Sequence, residues 1–133
     1  MLDTNIVTAI LKNDVRVNQK LQELDFQGKT ASISGISYYE VKRGLLATNA
    51  TRKLSEFAQL CQIYPVLFWN DLVILEKASE IYANLQGQGK LLEDADILIA
   101  AISVTRGLIL VSNDSDMLRI QGVMLENWLG EKN

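Results

Sequence analysis

Apolar and polar residues alternate along this chain with two different periods, which predict helices separated by short strands. An apolar position recurs every three to four residues in four segments, at residues 15–24, 37–46, 52–63 and 71–85. Short segments that are typical of strands lie at residues 30–34 and 66–68. The unbroken apolar run at residues 108–111 is typical of a parallel strand that is covered on both faces. Because strands that alternate with helices favour right-handed crossovers, we predict an α/β fold with a parallel sheet sandwiched between helices.

Residue types at the ends of the segments sharpen these predictions. Ser37-x-x-Glu40 matches a capping box and predicts a helix that begins at Ser37. Residues 96–105 are apolar nearly all round, so we expect a buried helix, which Gly107 ends. Asp94 lies just before this helix, where we assign it a capping role.

Composition predicts one ordinary domain and excludes several kinds of catalytic site, metal site and cross-link. Its 133 residues are 48% hydrophobic and 22% charged, with no break or repeat, so we expect a single domain over residues 1–133. There is no histidine, which rules out Ser-His-Asp triads and histidine-ligated zinc. Cys61 is the only cysteine, so an internal disulfide cannot form.

The start of the sequence indicates no export. It lacks the basic region and the long apolar region of a secretory signal. The longest nearly apolar run, residues 97–104, is far shorter than the ~20 residues that span a bilayer. We therefore expect a cytoplasmic protein that does not enter a membrane.

Acidic residues follow the predicted strands or open the predicted buried helix, so we expect them at the edge where sites form in open parallel sheets. They are Asp3, Glu40, Asp96, Asp114 and Asp116. Each also has a structural explanation, because acids favour helix N-termini, capping boxes and turns. Together, however, they would repel one another unless a cation lay among them. Since histidine is absent, the convincing metal site is an all-oxygen one for Mg²⁺ or Mn²⁺, whose chemistry suits phosphodiester hydrolysis.

Five pieces of the sequence, in order, resemble the PIN-domain nucleases, and within them the VapC-type toxin ribonucleases of toxin–antitoxin pairs. The pieces are Leu2-Asp3-Thr4-Asn5, Ile36-Ser37-x-x-Glu40-Val41-x-x-Gly44, Asp96-Ile97-Leu98-Ile99-Ala100-Ala101, residues 107–114, and residues 120–128. They cover nearly the whole chain. The resemblance implies a three-layer α/β/α sandwich, with a mostly parallel sheet of about five strands, and a Mg²⁺- or Mn²⁺-dependent endoribonuclease.

The resemblance also implies roles for individual residues. Asp3 and Asp96 are similar to the principal metal ligands, Glu40 and Asp114 complete the acidic quartet, and Asp116 matches a frequently acidic position beside it. Thr4, Asn5 and Ser112 resemble polar positions that hold Asp3 and orient water or phosphate. An antitoxin protein is the implied partner.

Two other functions stay open at this point. A PIN module that has lost catalysis would use the same site only to bind RNA or a protein, although all four matched acids are present. A carboxylate-metal phosphatase would need an early pair of acids after a strand, whereas Asp3-Thr4-Asn5 offers only one.

Contacts with RNA or with a second copy are less specific predictions. Lys42 and Arg43 could contact RNA phosphates, or simply form a solvated helix face. Tyr38 and Tyr39 could stack on a base, although one of them is expected in the core. We also predict a homodimer, because the helices before Pro65 carry many apolar residues. These are Val15, Val17, Leu21, Leu24, Leu54, Phe57, Leu60 and Ile63.

Overall fold

The computed structural model describes residues 1–130 and contains six α-helices, four short strands and one 3₁₀ helix in that range. In chain order the elements are α1 (Thr4–Leu11), α2 (Val15–Phe26), β1 (Ile33–Ser34), α3 (Gly35–Ala47), α4 (Thr51–Ile63), β2 (Val66–Leu67), α5 (Leu72–Gly87), α6 (Asp94–Arg106), β3 (Ile109–Val111), the 3₁₀ helix (Ser115–Arg119) and β4 (Met124–Glu126).

The strands are parallel and meet at Leu2, in the middle of the sheet. β1 pairs with β2, and β3 pairs with β4. Leu2 forms parallel bridges with Ile33 on one side and Val111 on the other. The order is therefore β2, β1, the Leu2 segment, β3 and β4. The middle position of the sheet is therefore filled by this one bridging residue.

Helices cover both faces of the sheet, which confirms the predicted three-layer α/β/α sandwich. On one face, Leu2 and Ile33 belong to a core formed with α1, α2, α3 and α4. On the other, Leu110 belongs to a core formed with α5 and α6. Burial of these apolar faces holds the layers together.

Two local expectations were wrong. α3 begins at Gly35 rather than Ser37, because Ser34 is its N-cap and accepts a hydrogen bond from the Ser37 N–H at 3.0 Å. Glu40 therefore lies in the second turn and takes no part in a capping box. The apolar run at 108–111 is not covered throughout, since Ile109 is 47% exposed.

The end of the buried helix follows the prediction. Gly107 has a φ of 65°, the left-handed conformation that glycine adopts without strain, and it caps α6.

In the described residues, no helix is both long enough and apolar enough to cross a membrane.

The apolar residues expected at a dimer interface are used mostly within one molecule. Phe57 is 1% exposed, and its ring lies 5.2 Å from that of Tyr38. Val17 and Leu21 are buried in the same core. Phe57 is therefore a core residue, and placing it on a partner surface was wrong. The homodimer itself stays a prediction.

Two glycines of α3 are expected to respond in opposite ways to replacement by alanine. At Gly35 an added Cβ would lie 2.6 Å from Cζ3 of Trp69, so Gly35→Ala should lower the free energy of unfolding by about 1–3 kcal/mol. At Gly44 an added Cβ would meet nothing within 4 Å, and alanine favours a helix interior. Gly44→Ala should therefore raise the free energy of unfolding by about 0.5–1 kcal/mol. Urea denaturation measures both, and equal effects would contradict the packing described for Gly35.

Candidate active site

Asp3 lies at the carboxyl edge of the sheet, directly after the bridging Leu2. Its backbone N–H donates to the Val111 carbonyl at 2.9 Å, which continues the pairing with β3. Its side chain caps α1, where Oδ1 accepts from the Thr4 N–H at 2.8 Å. Oδ2 accepts from Ser112 Oγ at 2.6 Å. The Asp3 side chain is thus buried and held by both of its oxygens.

Ser112 and Asn5 hold the loop after β3 against the start of α1. The buried Ser112 Oγ donates to Asp3 and also accepts from the Asp114 N–H at 3.0 Å. Asn5 Oδ1 accepts from the Asn113 N–H at 3.3 Å. These bonds place Asp114 at the same edge as Asp3, where its Oδ1 accepts from the Asp116 N–H.

Glu40 is connected to the same edge through hydroxyl groups. Thr4 Oγ1 donates to Glu40 Oε1 at 2.9 Å and lies 3.0 Å from Ser37 Oγ. Ser37 Oγ is in turn 3.2 Å from Ser34 Oγ, and both serines are fully buried. Ser34 and Ser37 were missed as site residues, because Ser34 was assigned only to a strand and Ser37 only to a capping box. Their position between a predicted strand and Glu40 was the available signal.

Asp96 lies in the first turn of α6 and is the fourth carboxylate at this edge of the sheet. Burial raises its pKa to about 6, and the charges of Asp3, Asp114 and Glu40 add to the effect. Burial also raises the pKa of Asp3; the hydrogen bonds that it accepts oppose that shift, whereas Glu40 and Asp114 reinforce it. The four carboxylates come from four separate segments of the chain and repel one another.

Two other acids do not join this group. The Asp116 carboxylate pairs with Arg119 at 3.1 Å, and Asp116 is not among the charges that raise the pKa of Asp3 or Asp96. Asp94 is an exposed residue of the first turn of α6, whose N-cap is Glu93. The capping role assigned to Asp94 was wrong, although its charge still favours the helix N-terminus.

The two basic residues after Glu40 have different surroundings. Arg43 approaches Glu40 Oε2 to 3.9 Å, so it lies beside the group of carboxylates. Lys42 is half-buried and lies near Cys61 of α4: burial raises the pKa of the Cys61 thiol, and the Lys42 charge lowers it. Of these two residues, Arg43 is therefore the one beside the carboxylates.

The four carboxylates are chemically suited to a hard divalent cation, although they do not form a complete set of ligands as they stand. All are oxygen donors of the kind that Mg²⁺ and Mn²⁺ prefer, and a cation would relieve their repulsion. Within residues 1–130, however, no three acidic or cysteine side chains lie close enough together to hold a metal ion as they stand. Mg²⁺ is usually held by one or two carboxylates together with waters and substrate phosphate, so a site at this edge needs fewer than three of these side chains.

The raised pKa of Asp96 predicts how the metal-free protein responds to pH. Its pKa is about 6 in the folded chain, against an ordinary 3.8, so the folded chain binds this proton more tightly than the unfolded chain does. The stability that the bound proton provides is present at low pH and is lost as pH rises through about 6. Asp96→Asn should therefore raise the Tm in EDTA at pH 7. That gain should shrink as pH falls from about 6 towards 4.

Thermal unfolding in EDTA across this range measures the effect. Asp94→Asn is the matched control, because it removes an exposed charge from the same turn, and its Tm difference from wild type should stay small. A Tm for Asp96→Asn below that of wild type at pH 7 would show that Asp96 has a purely structural role.

Comparisons with known proteins agree with this fold. The PIN domain family matches residues 1–123. Ribonuclease VapC2 of Haemophilus influenzae is 31% identical over 137 aligned positions, which cover 97% of both chains. The fold resembles VapBC2 from Rickettsia felis bound to a DNA fragment from its promoter, with a TM-score of 0.88, 24% identity and coverage of 96% and 97% of the two chains. It also resembles a toxin–antitoxin complex from Klebsiella pneumoniae, with a TM-score of 0.68, 21% identity and 92% coverage of each chain.

Proposed function

Because this chain belongs to the PIN-domain family, with a named VapC ribonuclease among its relatives, we propose that it is an endoribonuclease that hydrolyses RNA phosphodiester bonds with Mg²⁺ or Mn²⁺. The observation that carries the proposal is the group of four carboxylates, each from a different segment, at the carboxyl edge of the sheet. We also propose that it acts in the cytoplasm, as the sequence leads us to expect.

In this proposal Asp3 and Asp96 are the principal ligands of the cation, and Glu40 and Asp114 complete the set. When bound, the cation supplies activation of water and stabilisation of the leaving oxygen. Ser112 keeps the Asp3 carboxylate oriented through its 2.6 Å hydrogen bond. Thr4 does the same for Glu40 at 2.9 Å. We leave Asp116 out of the ligand set, because it pairs with Arg119.

The test is RNA cleavage by purified protein in Mg²⁺ or Mn²⁺ and in excess EDTA. Cleavage should occur only with the cation, and adding Mg²⁺ back to the EDTA sample should restore it. Full activity in EDTA would exclude the proposed chemistry.

A PIN module that binds RNA or a protein without cutting is the second candidate. Such a module would keep the same fold and use the acidic edge of the sheet only to bind its partner. RNA binding that survives in Mg²⁺ without any cleavage would establish this alternative.

We further propose that an antitoxin protein inhibits the enzyme. The acidic edge of the sheet suits an Arg or Lys side chain from a partner, which would offset the same repulsion as the cation does. Expression of this chain alone should arrest growth, and co-expression of a neighbouring antitoxin gene should restore it. Normal growth at high levels of the intact protein would reject the toxin role.

A homodimer stays part of the proposal, on a smaller surface than the sequence suggested. Val15 and Ile63 are 69% and 65% exposed, and both belong to the helices that were predicted to pair. Light scattering decides the matter, since a mass near 14.9 kDa rather than about twice that value would reject the dimer.

A further inference from the structure

Tyr39 presents an aromatic ring to solvent immediately before Glu40. It is 60% exposed, whereas its neighbour Tyr38 packs against Phe57 in the core. The structure thus shows which of the two tyrosines is the core residue, a choice that the sequence left open. Tyr38 is structural, and Tyr39 is free to contact a ligand.

Arg43 connects this ring to the acidic edge of the sheet. Its guanidinium carbon lies 5.0 Å from the centre of the Tyr39 ring, within the range of a cation–π contact. Its Nη2 also lies 3.9 Å from Glu40 Oε2. One exposed side chain therefore contacts both the aromatic ring and one of the carboxylates of the proposed metal site.

We propose that Tyr39 and Arg43 form a nucleotide-binding surface, on which one base of the RNA beside the scissile phosphate stacks on Tyr39 while Arg43 contacts an RNA phosphate. The inference rests on the proposed function and deepens it, because it names the residues that bind the substrate next to the cut. Stacking on an aromatic ring suits every base, so this surface supplies affinity without strict sequence preference.

Arg43 supplies the local positive charge that an RNA needs in order to approach this acidic edge. The group of carboxylates repels a phosphate backbone, and the chain as a whole carries a formal net charge of −3. A polyanion that reaches the acidic edge therefore needs a local cation, and Arg43 supplies one beside Glu40. The guanidinium also suits bidentate contact with a phosphate.

Binding of a labelled single-stranded RNA in Mg²⁺ tests the inference, with Asp96→Asn as the parent, because its slow cleavage keeps the probe intact during the measurement. Tyr39→Leu keeps an apolar side chain but removes the ring, and should weaken binding about 5- to 100-fold. Tyr39→Phe keeps the ring and should bind within about twofold of the parent. Arg43→Gln should reduce the slope of log Kd against log salt by about 1.

Tyr82→Leu is the matched control, because Tyr82 is 41% exposed on α5 and takes no part in the site. It should bind RNA as the parent does. In the active chain, Tyr39→Leu should raise KM with little change in kcat, since Tyr39 does not touch the reacting atoms.

The outcomes separate this inference from the function on which it rests. If the parent binds RNA and Tyr39→Leu binds equally well, the stacking surface is wrong while the ribonuclease proposal stands. If the parent does not bind RNA and the active chain does not cut it, both fail. A Tyr39→Phe defect as large as that of Tyr39→Leu would also overturn the stacking role.

Discussion

Asp96→Asn is expected to cut RNA at least ~100-fold more slowly than the wild-type chain. The substitution keeps the size of the side chain and removes one charge from the group of four carboxylates. Loss of one preorganised electrostatic contact at a reacting centre typically costs a factor of about 10² to 10³ in rate. Single-turnover cleavage of a labelled RNA in Mg²⁺ measures the effect.

Asp94→Asn is the matched control for this prediction. Asp94 lies in the same first turn of α6, but it is exposed and outside the group, so its variant should cut RNA at the wild-type rate. Both proteins purified in parallel also reveal any contaminating nuclease. Equal loss in the two variants would mean that the helix N-terminus matters rather than the Asp96 carboxylate.

Phe57→Ala is expected to lower the free energy of unfolding by about 3–5 kcal/mol. The ring is 1% exposed and packs against Tyr38, so its removal leaves a cavity between α3 and α4. A domain of this size has about 5–15 kcal/mol of total stability, so the variant should lose a large part of it. Urea denaturation at low protein concentration measures the change.

Ile63→Ala serves as the control on the same helix. Ile63 is 65% exposed, so its loss should change the free energy of unfolding by no more than about 0.5 kcal/mol. If Phe57→Ala were as stable as wild type but failed to form dimers, Phe57 would belong to an interface after all.

The layers of this fold could be predicted from the sequence because each element carries its own periodicity. α4 was expected at residues 52–63 and is observed at Thr51–Ile63, and α5 was expected at residues 71–85 and is observed at Leu72–Gly87. The start of α3 was missed, since Ser34 and Ser37 are equally good caps by residue type. Only the observed hydrogen bond to Ser34 Oγ distinguishes them.

The convergence of the acids could largely be predicted because three of the four follow parallel strands, whose carboxyl ends share one edge. Their partners could not be assigned in the same way. Lys42 and Arg43 are adjacent in sequence, but neighbouring residues on a helix point about 100° apart, so only Arg43 reaches Glu40. Asp116 was grouped with the site although Arg119, three residues later, was in place to form an ion pair.

The apolar face of α4 illustrates a further limit of sequence reasoning. Periodicity shows that one face of a helix needs covering, but it does not reveal whether the same chain or a second copy covers it. In this protein α3 covers Phe57, through Tyr38. The sequence therefore predicted the burial of Phe57 correctly and its partner wrongly.

Titration with Mn²⁺, followed by electron paramagnetic resonance, tests the central claim most directly, because protein-bound Mn²⁺ loses the sharp signal of the free ion. The proposed site predicts that wild type and Asp94→Asn bind Mn²⁺ alike, and that Asp96→Asn binds it at least about tenfold more weakly. Equal Mn²⁺ binding by all three proteins would show that the carboxylates at the edge of the sheet are not the metal site.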